Sequence, residues 1–205
     1  SAAAVGRMMT AVMEPDDPER ALPHATALGE AFQLSNFLRD VREDIVERDR
    51  IYLPQETLDE YGVTEAELQN FETSREFREA MERELRRTEA LYREGVAGIE
   101  YLPTDCQFPV LVAAVLYADH HRLIRERDYD VLSETPAIGT ARKLALVART
   151  RWHWLWNRDP ETVFLRVSCV PEVPGDLDPD RGRDPSRGVG RRLLRGAVEG
   201  LRRLT

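Results

Sequence analysis

The run Gln33 to Pro54, QLSNFLRDVREDIVERDRIYLP, spaces two kinds of residue at helical intervals. Leu34, Leu38, Val41 and Ile45 recur every three or four positions, so the segment is predicted to be a helix with one buried stripe. Gln33, Asn36, Asp40 and Asp44 form a second, polar stripe about one residue's rotation away. A polar stripe so close to the buried face points to the edge of a core or into a cavity, not straight out to bulk water. Two like charges four residues apart repel by a few tenths of a kcal/mol on a bare helix, and a cation removes that cost. Mg²⁺ suits the role, because it takes one or two carboxylates and completes its shell with waters and phosphate oxygens; Mn²⁺ accepts the same oxygen donors. Arg39, Arg42, Arg48 and Arg50 follow the same run, and guanidinium groups grip phosphate bidentately. The alternative reading of the same spacing is a solvated, charge-laced face with Arg39 and Glu43 paired across one turn.

Outward from this run the chain reads as helix throughout. The 205 residues suit one domain with a substantial core, and no alternating run bounded by tight turns predicts strands. Residues 2 to 13 are predicted as helix, ended by Pro15 and the Asp16-Asp17-Pro18 turn. The motif helix is expected as one piece from near Pro23 to about Arg48. Thr64 and Glu67 form a capping box, Ser74 caps a long helix from Arg75 to about Glu100, and Asp105 is expected to cap Gln107 to Arg127. A helix from Gly139 to Trp156 closes the body, placed within residues 1–157. Residues 158–190 are expected to be a low-order linker, being crowded with Pro, Gly, Asp and Arg toward their end. The terminal GRRLLRGAVEGLRRLT, residues 191–205, is a candidate basic amphipathic helix for peripheral contact with an anionic membrane.

Composition narrows the partners. The formal net charge of −8 argues against nucleic acid. Cys106 and Cys169 lack metal-ligand or framework spacing, so a reducing cytoplasm is the expected setting. His24, His120, His121 and His153 show no zinc spacing; His120 and His121 are read as decorating a helix face. Trp152, Trp154 and Trp156 are read as packing at a helix end, with a lipid-facing aromatic cluster as the alternative.

As a string of residues, Leu28 to Pro54 resembles the second aspartate-rich motif of the squalene and phytoene synthase family. The family pattern Q-x-x-N-x-x-R-D-x-x-x-D is met at Gln33, Asn36, Arg39, Asp40 and Asp44, and R-x-Y-L-P at Arg50, Tyr52 and Pro54. Pro109 to Val131, followed by Arg142 and Lys143, is similar to the late helices of that family, and the opening AAAVGRMM to its Y-x-x-x-V-A-G-x-V-G helix. The resemblance covers Ser1 to Trp156. Family members are longer and carry a first motif, D-E-x-x-D, upstream; none precedes Asp40 here. The resemblance therefore implies an all-α, isoprenoid-synthase-type helical bundle around a central cavity, incomplete at its N-terminus.

What the resemblance implies about function is Mg²⁺-dependent head-to-head condensation of two geranylgeranyl diphosphates, through prephytoene diphosphate, to phytoene for carotenoid biosynthesis. Asp40 and Asp44 are then expected to hold metal with Asn36, and Gln33, Asn36, Arg39, Arg50 and Tyr52 to bind the prenyl diphosphate. Tyr117 falls where family members place a tyrosine near the substrate; packing within the bundle is its other reading. A squalene or dehydrosqualene synthase acting on farnesyl diphosphate is the alternative within the class. A non-catalytic module that binds prenyl diphosphate is the alternative outside it.

Overall fold

A computed structural model of the chain describes residues 2–171; the proposed tail helix at 191–205 and the linker residues 172–190 lie outside the described residues. Among the described residues there are helices and no strands. In order these are α1 (Ala2–Met13), α2 (Pro18–Arg39), α3 (Val41–Arg48), α4 (Gln55–Tyr61), α5 (Glu65–Gln69), α6 (Arg75–Ala97), a 3₁₀ turn (Gly98–Tyr101), α7 (Thr104–Glu126), α8 (Thr140–Trp156) and α9 (Pro160–Val167).

Local chemistry sets most of these limits. Asp17 accepts from the Arg20 amide at 3.1 Å, with Pro18 preorganised in the first turn, so α2 starts five residues before the expected Pro23. Pro23 sits in the second turn, where it forfeits one hydrogen bond. The Thr64–Glu67 capping box is formed, and Ser74 Oγ accepts from the Phe77 amide at 3.1 Å to begin α6. Asp105 does not cap: α7 begins behind Pro103, and Asp105 instead puts negative charge in its first turn.

The expected single motif helix is two helices. Asp40, at φ −99° and ψ 17°, separates α2 from α3. Its amide still reaches Asn36 O at 2.8 Å and its carbonyl takes the Asp44 amide at 2.8 Å, so hydrogen bonds of helical spacing run on across the interruption. Aspartate competes poorly for helical geometry, and here its carboxylate folds back onto Arg39. Asp49, in the left-handed region at φ 52°, ends α3.

α2 is the central element, packed on α1 on one side and on α6 and α7 on the other. At Gly95 the α6 backbone lies so close to α2 that a Cβ there would stand 2.7 Å from the Leu28 backbone. Two apolar clusters fill the bundle. One gathers Leu28, Ala31, Tyr92, Val96, Leu111, Val115, Trp154 and Phe164; the other gathers Leu38, Val41, Leu58, Leu68, Phe77, Met81, Leu85 and Ile124. Residues 160–167, which the expected low-order linker from 158 included, are instead helix α9, with Pro160, Val163, Phe164 and Val167 buried. Four α9 residues with helical spacing were outvoted in the sequence by the Pro, Gly and Arg that follow them.

A polar layer separates the two clusters. Ser35 falls between Ala31 and Leu38 on α2, Glu89 between Leu85 and Tyr92 on α6, and His121 between Ala118 and Ile124 on α7. Tyr92 Oη and Ser35 Oγ are 2.8 Å apart, Ser35 Oγ and His121 Nε2 2.9 Å, and His121 Nδ1 and Glu89 Oε1 3.4 Å. Arg125 donates to Glu89 at 2.6 Å and to Glu82 at 3.0 Å, and the Tyr129 hydroxyl donates to Glu82 at 3.0 Å. His121 is thus fully buried, not a surface residue as its sequence neighbourhood suggested. Burial pushes the Glu89 carboxyl up, but hydrogen bonds from His121 and Arg125 outweigh it and leave the carboxyl below the usual range. Burial pushes the His121 imidazole below the usual histidine range, against the pull of Glu89.

An ionised Glu89 beside a neutral His121 is satisfied by one pattern of donors and acceptors. An ionised carboxylate only accepts, so His121 Nδ1 carries the hydrogen and Nε2 accepts from the Ser35 hydroxyl. The Ser35 oxygen then accepts from the Tyr92 hydroxyl.

Two measurements check this packing. Gly95→Ala is expected to destabilise the fold by about 1–3 kcal/mol through overpacking, only partly offset by the helical preference for alanine of about 1 kcal/mol; an unchanged urea midpoint overturns the close approach. For His121 the unfolded chain binds a proton near pH 6.5 and the folded chain does so at lower pH. Stability is therefore full above about 6.5 and is lost as pH falls below it, by up to about 1.4 kcal/mol per pH unit. Urea unfolding at pH 7.5 and 5.5 should show that loss, and His121→Gln should shrink it; equal losses in both proteins contradict a buried neutral imidazole.

Candidate active site

The motif residues lie along α2, α3 and the loop that follows. Arg39 and Asp40, adjacent in sequence, form a bidentate pair: Nε to Oδ1 and Nη2 to Oδ2, each 2.6 Å. The expected alternative partner, Glu43, is not used by Arg39, because the helix interruption turns the Asp40 carboxylate toward it. That hydrogen bond raises the Arg39 guanidinium above its ordinary range. The third Arg39 nitrogen, Nη1, lies 3.3 Å from His120 Nε2 on α7, so His120 sits at the site. His120, read from the sequence as decorating a helix face, is half-buried against Arg39; its position one turn after Tyr117 was the available signal.

Asp44 is buried on α3 and pairs with Arg48 one turn on, at hydrogen-bonding contact. Glu43 lies 3.7 Å from the same guanidinium. Each motif carboxylate thus has its own arginine. Arg42 is turned away from the stripe: it donates to Leu132 O at 2.7 Å and lies over the Phe71 ring.

The remaining candidates divide. Asn36 is half-buried one turn before Asp40. Gln33 Oε1 accepts from the Ala2 amide at 3.0 Å, which ties α2 to the start of α1. Tyr52 stacks on Phe37 with centroids 4.4 Å apart and planes within 5°, so the loop is clamped to α2. Arg50, on that loop, is exposed and makes no side-chain hydrogen bond or ion pair among the described residues. Tyr117 is half-buried, stacked on Phe32 at 4.6 Å. The structure therefore brings Asn36, Arg39, Asp40 and His120 to one place, puts Asp44 and Arg48 on the next turn, and leaves Arg50 outside.

Nearby, Asp119 is buried between Arg122 and Arg142, with Arg142 Nη2 at 2.7 Å. Burial pushes its carboxyl up; hydrogen bonds from the two arginines outweigh that and hold it below the usual range. This pair joins α8 to α7.

Among the described residues no three or more of His, Cys, Asp and Glu gather to hold a metal ion. Two carboxylates with an amide beside them fit a hard cation that shares its shell with phosphate oxygens and water. They do not fit a cation held by protein alone.

Three comparisons bear on this arrangement. A model of the family described as squalene/phytoene synthase matches residues 1–149. The phytoene synthase of Arthrospira platensis is 36% identical over 155 residues, covering 70% of this chain and 50% of that protein. The phytoene synthase of Rhodobacter capsulatus is 35% identical over 150 residues, covering 73% and 44%. A crystal structure of a dehydrosqualene synthase in complex with ligand superposes with a TM-score of 0.63 at 26% identity, over 70% of this chain and 50% of that one. The chain spans about half the length of these relatives. The helical fold is that of the isoprenoid synthases, and the chain belongs to the squalene/phytoene synthase family.

Proposed function

We propose that this chain carries one diphosphate-binding half of a head-to-head prenyl synthase of the phytoene synthase type, which joins two geranylgeranyl diphosphates to make phytoene for carotenoid biosynthesis. The observation that carries the reading is the complete motif from Gln33 to Pro54, folded so that Asn36, Arg39, Asp40 and Asp44 follow one edge of the α2–α3 pair. Relatives named phytoene synthase, at about one-third identity, support the choice of substrate class. The dehydrosqualene synthase likeness supports a second reading, in which the substrate is farnesyl diphosphate.

Asp40 and Asp44 would hold Mg²⁺ or Mn²⁺, with Asn36 orienting its waters. Bound there, the cation supplies charge neutralisation for a departing diphosphate. The chain's own groups do the rest. Arg39 grips diphosphate oxygens in a fork that matches their geometry. His120, pushed below the usual histidine range by burial, stays neutral beside Arg39 and adds no charge of its own. Gln33 and Tyr52 act on position, through α1 and through the stack on Phe37, which clamps the loop after α3 to α2. Phe32 and Tyr117 offer an apolar wall along which a prenyl chain excludes water, which would otherwise quench an allylic cation.

The test uses protein expressed from the whole reading frame that contains this chain, given geranylgeranyl diphosphate and Mg²⁺ without a reductant. A C40 hydrocarbon is expected in the organic extract. A C30 product from farnesyl diphosphate alone moves the reading to the second substrate, and no product from either removes it.

Asp40→Asn and Asp44→Asn should each lower turnover on the order of 10²-fold or more while the helical circular dichroism is kept. Undiminished product yield from either variant removes that carboxylate from the metal site.

A further inference from the structure

α8 is amphipathic in an unusual direction. Leu146, Thr150 and Trp154 face inward, against α7 and α9. On the opposite side Leu144, Ala148, Trp152, Leu155 and Trp156 are exposed. Trp152 is 61% and Trp156 78% exposed, where Trp154 is 1%. The reading of these tryptophans as helix-end packing holds for Trp154 alone. Trp152 and Trp156 pack edge to face with centroids 6.1 Å apart, so the two indoles form one ledge.

At about 100° of rotation per residue, the five outer residues fall within an arc of about 120°. Cations border it on both sides, Arg151 on one and Arg149 on the other. α8 contains no Asp or Glu, in a chain whose net charge is −8. Arg151 lies over the Phe108 ring at 5.3 Å, Arg158 over the Trp154 ring at 5.3 Å, and Arg149 donates to Arg166 O at 2.7 Å. The Phe108 face and the Arg166 carbonyl hold Arg151 and Arg149 at the rim. None of the three, nor Lys143, is in an ion pair among the described residues. Arg142 is the exception, taken by Asp119.

We propose that this outer face of α8 docks on an anionic lipid bilayer surface, with Trp152 and Trp156 at headgroup depth, Leu144 and Leu155 below them, and Arg149 and Arg151 against lipid phosphates. Indoles prefer that boundary because the ring is apolar while its N–H remains wet. A flanking basic rim on a locally acid-free helix is the complement of an anionic leaflet. The surface is independent of the synthase reading, since it needs none of the motif residues.

All three tryptophans of the chain lie in α8, so intrinsic fluorescence reports this helix and is blind to residues 191–205. Vesicles of phosphatidylglycerol and phosphatidylcholine should shift the emission to the blue, and lipids brominated near the headgroup should quench it. Phosphatidylcholine alone should do neither. Trp152→Ala/Trp156→Ala should weaken co-sedimentation about tenfold at unchanged helicity. Arg149→Gln/Arg151→Gln should reduce the preference for anionic lipid severalfold.

Sedimentation with vesicles at unaltered emission would overturn the proposal and assign binding to another segment. So would protein from the whole reading frame in which acrylamide already fails to reach the indoles before lipid is added, since a protein segment then covers this face. Absence of binding also overturns it.

Discussion

The Glu89 carboxylate, buried between two apolar clusters and held ionised by Arg125 and His121, is the constraint around which the bundle is arranged. A charge in that position is tolerated only while its partners stay in place. Removing one partner of such a pair costs on the order of 3–5 kcal/mol, because the other is left unpaired in a medium that solvates it poorly. The polar layer cannot shift by a turn without that loss, since Ser35, Glu89 and His121 come from three helices and meet in one register. It therefore fixes how α2 sits on α6 and α7, and so where Asn36, the neighbour of Ser35, points.

The motif is built on top of that fixed helix. Its upstream half inherits the rigidity of α2, through Gln33 on α1 and Phe37 under Tyr52. Its downstream half is a separate short helix beyond Asp40, secured by the left-handed Asp49 and by Leu53, which enters the second cluster. The two carboxylates thus belong to different rigid pieces joined at one of them.

Much of the bundle was legible because its signals are local. The Thr64–Glu67 box, the Ser74 cap and the long periodic run of α6 depend on neighbours within a turn, and the motif identified its own helix. The interruption at Asp40 was not legible, since the residues on either side keep helical spacing and one backbone dihedral changes the assignment. His121 was misread because burial of an imidazole depends on Ser35 and Glu89, far away in the chain. The three tryptophans show the same limit: alternate positions on a helix share neither face nor environment, and composition gives them one label. At the site, Arg48 pairs with Asp44 across one turn, a contact that sequence reading did not draw, naming Arg39 with Glu43 instead. The turn of Arg39 toward Asp40 and the approach of His120 needed the tertiary arrangement.

Asp40 and Asp44 each begin with an arginine as counter-ion. Any cation that takes these carboxylates must displace guanidinium groups, and the displaced groups are then free to meet an anion. Uptake of the two opposite charges would be coupled by that exchange, and by reciprocity each would raise the affinity for the other by the same factor. Neither a bare divalent ion nor a bare diphosphate would gain the full interaction, whereas the two together would. Carboxylates and guanidinium groups paired in this way hold their charges against one another.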